Sequence, residues 1–397
     1  MLDFTFHSPT EFIFGKDTEQ RTGELVKKYG GNRVLILYGG GSVVRSGLLD
    51  RVKRSLDEAG VEHIERGGIQ PNPRASLAAQ LVDVAVAEKV DFIIGCGGGS
   101  VLDTAKAVAI GAKHPTTPLW DFYSYKVPAD TALPVGTIMT FPATGSEGSN
   151  SSVLNFEEQG LKRGLNAQVN RPEFAILNPV LTYTLPAYQT ACGIVDMMSH
   201  ILERYFTPTE SDVALIDRLA EGTLRSIIEA ARKLLQDPND YDTRATLMWA
   251  STIAHNNSLG LGRQQDWSCH ALEHELSYMY DVAHGAGLAV VTIAWMRYVA
   301  PIKPEKLAQF ACRVMDVDPN FNDPLAVANE GIRRLAAFFK EIGMPLTFAE
   351  LGCKGEDIPT LAKTVKRQPH GKVGHYVQLD EADLIKIYEL SCQGISI

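Results

Sequence analysis

An N-terminal α/β domain with a parallel sheet, followed by an all-helical C-terminal domain, is the fold class that this 397-residue sequence predicts. Three observations carry that expectation. The chain is too long for one comfortable hydrophobic core, so two domains are expected. Up to about residue 180, short apolar runs that end in glycine alternate with amphipathic stretches, the pattern of strands joined by crossover helices. Beyond about Leu185 the strand signals fade and long helical patterns take over. The expected division is 1–182 and 183–397.

The elements follow in order. The run Arg33-VLILY stops at Gly39-Gly40-Gly41, and a helical pattern runs from Val43 to Ala59. VEHIERG is a second short strand, punctuated by Pro71-Asn72-Pro73, with a helix from Arg74 to Lys89. DFIIGCGGGS reads as a buried strand running into glycines, and VLDTAKAVAIGA as the helix after it. LPVGTIMTFPATGS and PEFAILNP add further strands. In the second half, helical patterns span Pro186 to Phe206, Ser211 to Leu235, Thr243 to Leu259 and Asp266 to Tyr280. Pro186 suits a first helical turn, where a missing N–H costs nothing.

Composition narrows the function. Hydrophobic content of 45% and charged content of 21% are those of ordinary globular proteins. A net charge of -9, with no Lys/Arg-rich block, argues against a nucleic-acid or anionic-membrane surface. The N-terminus lacks the basic, then apolar, order of a signal peptide, and no uncharged apolar stretch of about 18 residues suggests a membrane span. Six scattered cysteines with no CxxC pair point to a reducing cytoplasm.

Two glycine-rich segments stand at expected strand ends, Gly39-Gly40-Gly41-Ser42 and Gly95-Cys-Gly-Gly-Gly-Ser100. Glycine lets a phosphate approach the backbone closely, and N–H groups at a helix start can hold it. The second segment departs from GxGxxG at Ser100, and a tight turn without a ligand uses glycines equally well. Asp103 falls in the first turn of the following helix, where an acid also complements the helix dipole. Thr140-Phe-Pro-Ala-Thr-Gly-Ser-Glu offers small hydroxyls to a nicotinamide or pyrophosphate, or forms a polar turn.

The helical half carries the sharper pattern. Asp196 and His200 are four apart and share a helix face, as do His270 and His274. His284 follows ten residues later, beside Gly285 and Gly287. Three imidazoles and a carboxylate suit a first-row divalent ion: Fe²⁺ or Zn²⁺ first, Ni²⁺ or Co²⁺ next. Each histidine alone is more simply a hydrogen-bonded core or surface residue. The pairs lie on apolar faces, however, where polar groups are costly unless something satisfies them.

These segments resemble the iron-containing (metal-dependent) alcohol dehydrogenase family, nearest its branch of NADPH-dependent aldehyde reductases and butanol dehydrogenases. The matching stretches are VLILYGGGSVVRSG, GGGSVLDTAKAVA, TFPATGSE, LNPVLTYTLPAYQTACGIVDMMSHILERY and QDWSCHALEHELSYMYDVAHGAGLAV. The resemblance implies a Rossmann-like α/β domain joined to a helical domain, the architecture shared with dehydroquinate synthase. It implies a metal on Asp196, His200, His270 and His284. It places Gly40, Gly41 and Ser42 on the adenosine side and Asn72 near the adenosine phosphate. Gly98, Gly99, Ser100 and Asp103 would face the pyrophosphate and nicotinamide ribose, with Thr140, Thr144 and Lys162 completing the cofactor site. Ser149 belongs to the same set, at a position where the close branch tends to carry Asn.

The implied reaction is hydride transfer between NAD(P)H and an aldehyde or primary alcohol, the carbonyl polarised by the metal. His274 is either the proton relay or a pocket wall. In NAD-preferring relatives an Asp matches Gly40, so the uncharged glycines here predict that NADP(H) is preferred over NAD(H). Apolar neighbours such as Trp267, Leu272 and Leu276, and few basic residues apart from Arg263, favour short aldehydes over phosphorylated ones. The alternative is a metal- and NAD-dependent lyase of the dehydroquinate synthase type, whose sugar-phosphate substrate would require several Lys/Arg groups. The resemblance also implies a homodimer.

Overall fold

The computed structural model describes residues 1–396. The chain forms two compact units, His7–Leu185 and a helical unit made of Met1–Phe6 together with the chain from Pro186 onward. The first six residues join the helical unit through Leu2, whose N–H donates to the Gly262 carbonyl at 2.8 Å. The division therefore falls at Leu185/Pro186, with a short N-terminal exception to the expected 182/183 boundary.

Eight strands lie in the α/β unit: β1 (Glu11–Phe14), β2 (Arg33–Tyr38), β3 (Glu62–Arg66), β4 (Phe92–Gly98), β5 (Val135–Phe141), β6 (Ser151–Phe156), β7 (Leu161–Asn166) and β8 (Phe174–Leu177). Six form a parallel sheet in the order β1-β8-β5-β4-β2-β3, and β6 pairs antiparallel with β7. The apolar runs are continuous because both sheet faces are buried. On β2, Val34 and Ile36 face one core and Leu35 and Leu37 the other; on β4, Phe92, Ile94 and Cys96 oppose Ile93.

The strand order reverses between β2 and β4, since β3 lies outside β2 and β5 outside β4. In open parallel sheets ligands bind beyond the carboxyl ends of the strands at such a reversal. Both glycine segments leave β2 and β4 there. The helix expected from Val43 to Ala59 is instead two, Ser42–Arg45 and Leu48–Glu58. Gly47 between them has φ 70°, which no continuous helix allows.

In the helical unit, Ala187–Tyr205 is the central helix, and every residue from Ala191 to Tyr205 is buried. It packs against Ser268–Tyr280 and His284–Val299, within a core continuing through Pro304–Val314, Pro324–Glu341 and Glu381–Cys392. Among the described residues no helix is long and apolar enough to cross a membrane.

Candidate metal centre and cofactor loops

The central helix presents Asp196 and His200 on one face, both almost fully buried. His270 comes from the first turn of Ser268–Tyr280, and His284 begins the helix His284–Val299. The close approach depends on Gly285, where a Cβ would stand 2.0 Å from the Cys192 carbonyl oxygen of the central helix. Any larger residue would push His284 away from Asp196.

Around Asp196 Oδ1 stand His200 Nδ1 at 3.4 Å, His270 Nε2 at 3.5 Å and His284 Nε2 at 3.7 Å. Asp196 Oδ1, His200 Nδ1 and His270 Nε2 are buried without any hydrogen-bond partner. Each such orphaned atom costs about 1–3 kcal/mol. Three together rival the ~5–15 kcal/mol by which a domain is stable. The separations exceed the ~2.7–3.2 Å of a hydrogen bond. They lie at or slightly above the roughly 3.3–3.5 Å between neighbouring ligands held about 2.0–2.2 Å from a tetrahedral ion. The donor set therefore fits a divalent metal. Ligand atoms of Asp196, His270 and His284 all lie within 4.8 Å of one another. His200 joins through Asp196 and through its ring, 4.5 Å from that of His270.

Burial, then the neighbouring His255 and His270, push the His200 imidazole well below its ordinary value. Burial also opposes charge on His270, but the carboxylates of Glu203 and Asp196 outweigh it and raise this imidazole to about 9. His274 lies beside the ligands, its ring 5.7 Å from that of His284 and 6.3 Å from that of His270.

The sequence reading missed the supporting residues. Glu203 pairs with His270 Nδ1, and Glu273 with His284 Nδ1. His255 stacks on His200 with ring centroids 4.0 Å apart. Arg204 lies 4.6 Å over the Trp267 ring and donates to the His200 carbonyl at 2.7 Å. Asp266 accepts N–H groups from Ser268, His375 and Tyr376, tying the segment before the last helix to the start of the His270 helix. The signal available was an acid one turn after His200, on the helix that also carries Asp196.

In the α/β unit, Gly40 and Ser42 are exposed, and nothing lies within 4 Å of where a Cβ on Gly40 would stand. Gly41 has φ 95°, a conformation that favours glycine. At Gly99 a Cβ would fall 2.4 Å from Thr144, so this glycine lets the β4 turn meet the Thr144 loop. Gly98, Ser100, Thr140 and Thr144 are half-buried around that contact. Asn72, at φ 52° between its prolines, accepts from Lys162 Nζ at 3.0 Å, and both are buried.

Asp103 and Ser149 point inward. Asp103 accepts from Ser146 Oγ at 2.7 Å and from the Val153 N–H at 2.9 Å. Lys106, one turn on, donates to the carbonyls of Ser146, Ser149 and Ser151. The two residues clamp the loop that carries Thr144.

Residues 9–179 match the family model described as iron-containing alcohol dehydrogenase, and residues 190–392 its C-terminal model. The chain belongs to the iron-containing alcohol dehydrogenase family. It is 39% identical to a probable NADH-dependent butanol dehydrogenase of Bacillus subtilis, covering 98% of this chain and 100% of that one. It is 37% identical to the NADPH-dependent aldehyde reductase YqhD of Escherichia coli, covering 98% and 99%. The crystal structure of NADH-dependent butanol dehydrogenase A from Thermotoga maritima superposes with a TM-score of 0.95 at 37% identity, over 99% of each chain.

Proposed function

We propose that this protein is a metal-dependent oxidoreductase that interconverts aldehydes and primary alcohols with NAD(P)H. The observation that carries the reading is the convergence of buried, partnerless Asp196 Oδ1, His200 Nδ1 and His270 Nε2 at ligand spacing, within a chain of this family.

Asp196, His200, His270 and His284 would hold one divalent ion, Fe²⁺ or Zn²⁺ before Ni²⁺ or Co²⁺. When bound, the ion supplies Lewis-acid polarisation of a carbonyl and the reduced nicotinamide supplies the hydride. Trp267 and the apolar residues around the ligands exclude water. A ring nitrogen of His274 delivers the proton that the alcohol oxygen needs, and takes it back in oxidation. Gly98, Gly99, Ser100, Thr140 and Thr144 receive the pyrophosphate and nicotinamide end, Asn72 and Lys162 a phosphate, and Gly40, Gly41 and Ser42 the adenosine end. Asp103 and Ser149 serve by shaping the Thr144 loop.

NADP(H) is the preferred cofactor in this reading. Gly40 leaves open space, and an Arg45 guanidinium nitrogen lies 3.4 Å from the Cβ position at Gly41, so the loop can receive a 2′-phosphate. The names of the relatives include both NADH and NADPH, so the preference rests on the loop. The protein is expected to act as a homodimer, checked by light scattering. The cytoplasm is its expected compartment, consistent with six unpaired cysteines. The reading is tested by following NADPH absorbance with short aldehydes and with a sugar phosphate. Decay with the aldehydes is expected, and turnover of the sugar phosphate alone would overturn it.

A further inference from the structure

We propose that Glu203 and Glu273 are positioning residues for the metal site: each takes the Nδ1–H of one ligand histidine, so that His270 and His284 present Nε2 to Asp196. The inference rests on the metal reading above and adds how the ligand atoms are chosen.

A neutral imidazole carries one N–H, and the partner of one nitrogen decides which nitrogen keeps a lone pair. A carboxylate at Nδ1 fixes the proton there, leaves Nε2 to bind, and makes the ring a stronger donor. Both pairs have this form. Glu203 extends from the central helix, almost fully buried. Its Oε1 accepts the N–H groups of Cys269 at 2.6 Å and His270 at 3.2 Å, so the carboxylate caps the helix that carries His270 while Oε2 meets His270 Nδ1.

Glu273 is fully buried one turn along that helix; Oε1 accepts from Ser277 Oγ and Oε2 meets His284 Nδ1. At Gly287 a Cβ would stand 2.7 Å from Glu273 Oε1, so this glycine keeps the slot for the carboxylate open. A buried carboxylate is costly unless each oxygen has partners, and these two have them. His200 is held differently, by stacking on His255 and by Arg204 on its carbonyl.

Glu273, His274 and His284 also bring ligand atoms within 4.8 Å of one another, the arrangement a second ion would require. The Glu273 oxygen already meets His284 Nδ1 directly, which favours the positioning role.

The test uses full-length protein loaded with Zn²⁺ alone, as parent, Glu203→Gln, Glu273→Gln and His270→Ala. Zinc affinity is measured by chelator competition, stoichiometry by elemental analysis, and the imidazole N–H groups by NMR of ¹⁵N-histidine-labelled protein. The expected result is one zinc per protomer in the parent and affinity about 10–100-fold weaker in each Gln variant. Each Gln variant should also shift the Nδ1–H signal of its own histidine alone, a change that mere loss of packing would not produce. If Glu203→Gln does not fold, because Glu203 also caps the helix, Glu273→Gln gives the answer alone. Gln variants with parental affinity and unshifted signals would overturn the proposal, as would two zinc ions per protomer in the parent. His270→Ala with full zinc would instead overturn the metal reading beneath it.

Discussion

The metal centre and the glycine loops are opposite kinds of site. At the centre, Asp196, His200 and His270 are buried, and one atom of each lacks a hydrogen-bond partner, so burial itself favours a ligand. At the Gly40 loop the backbone is exposed and the Cβ position empty, so a ligand proposed there would be discriminated by charge and bulk alone. The difference teaches where substitutions should be decisive and where they should only tune. A ligand lost from a dry site has no replacement, whereas a change at an open loop competes with solvent.

The largest effect is therefore expected at the ligands. His270→Ala or His284→Ala should remove most bound metal and lower turnover by about 10³-fold or more, while the α/β unit stays folded. Elemental analysis and aldehyde-dependent NADPH oxidation check this, and either variant keeping full metal and rate would erase the contrast. Next is His274→Ala, which should keep the metal yet lose on the order of 10²–10⁴-fold in rate and change the pH–rate profile. An unchanged profile would make His274 a pocket wall.

At the open loop, Gly40→Asp should shift the kcat/KM ratio of NADPH to NADH by about tenfold or more toward NADH, since each tenfold is about 1.4 kcal/mol and one repelled charge supplies that. A parent that favours NADH, or an unchanged ratio, would show that this loop does not read the 2′-position.

The smallest effect on catalysis concerns the clamp behind the loops, which is expected to act on stability. Lys106→Met strips donors from three carbonyls and should cost on the order of 1–3 kcal/mol of stability. Burial pushes the Lys106 ammonium down to about 8 from an ordinary 10.5. Between about pH 8 and 10.5 the unfolded chain then holds this proton more tightly, so the stability contributed by this group rises with pH across that window. The stability of the parent relative to Lys106→Met should therefore rise between pH 8 and pH 10, read by chemical unfolding of both proteins at each pH.

The same contrast explains what was legible in the sequence. The buried strands were plain because β2 and β4 are apolar on both faces and run into glycines. The edge strand β1 was not, since only four residues pair, one of them the exposed Phe14. The hairpin β6–β7 was also missed. Its residues mix Ser, Asn, Lys and Arg with apolar positions, and its alternation is weak. The proposed ligands stand out as a helical pattern of Asp and His. Glu203 and Glu273 did not, because an acid on a helix is ordinarily solvated and its partner lies up to 67 residues away. Asp103 is proposed as a cofactor contact from its place after the glycines; the fold adds that its oxygens accept from Ser146 Oγ and the Val153 N–H, which the sequence does not show.

Carbonyl reduction is expected to depend on one ion held by Asp196, His200, His270 and His284. Its most direct test strips the protein with a chelator and then titrates Fe²⁺ or Zn²⁺ back while aldehyde-dependent NADPH oxidation is followed. No turnover is expected in the stripped protein, and recovery should saturate at one ion per protomer, with no recovery in His270→Ala. Full turnover by the stripped protein, or equal recovery in His270→Ala, would contradict it.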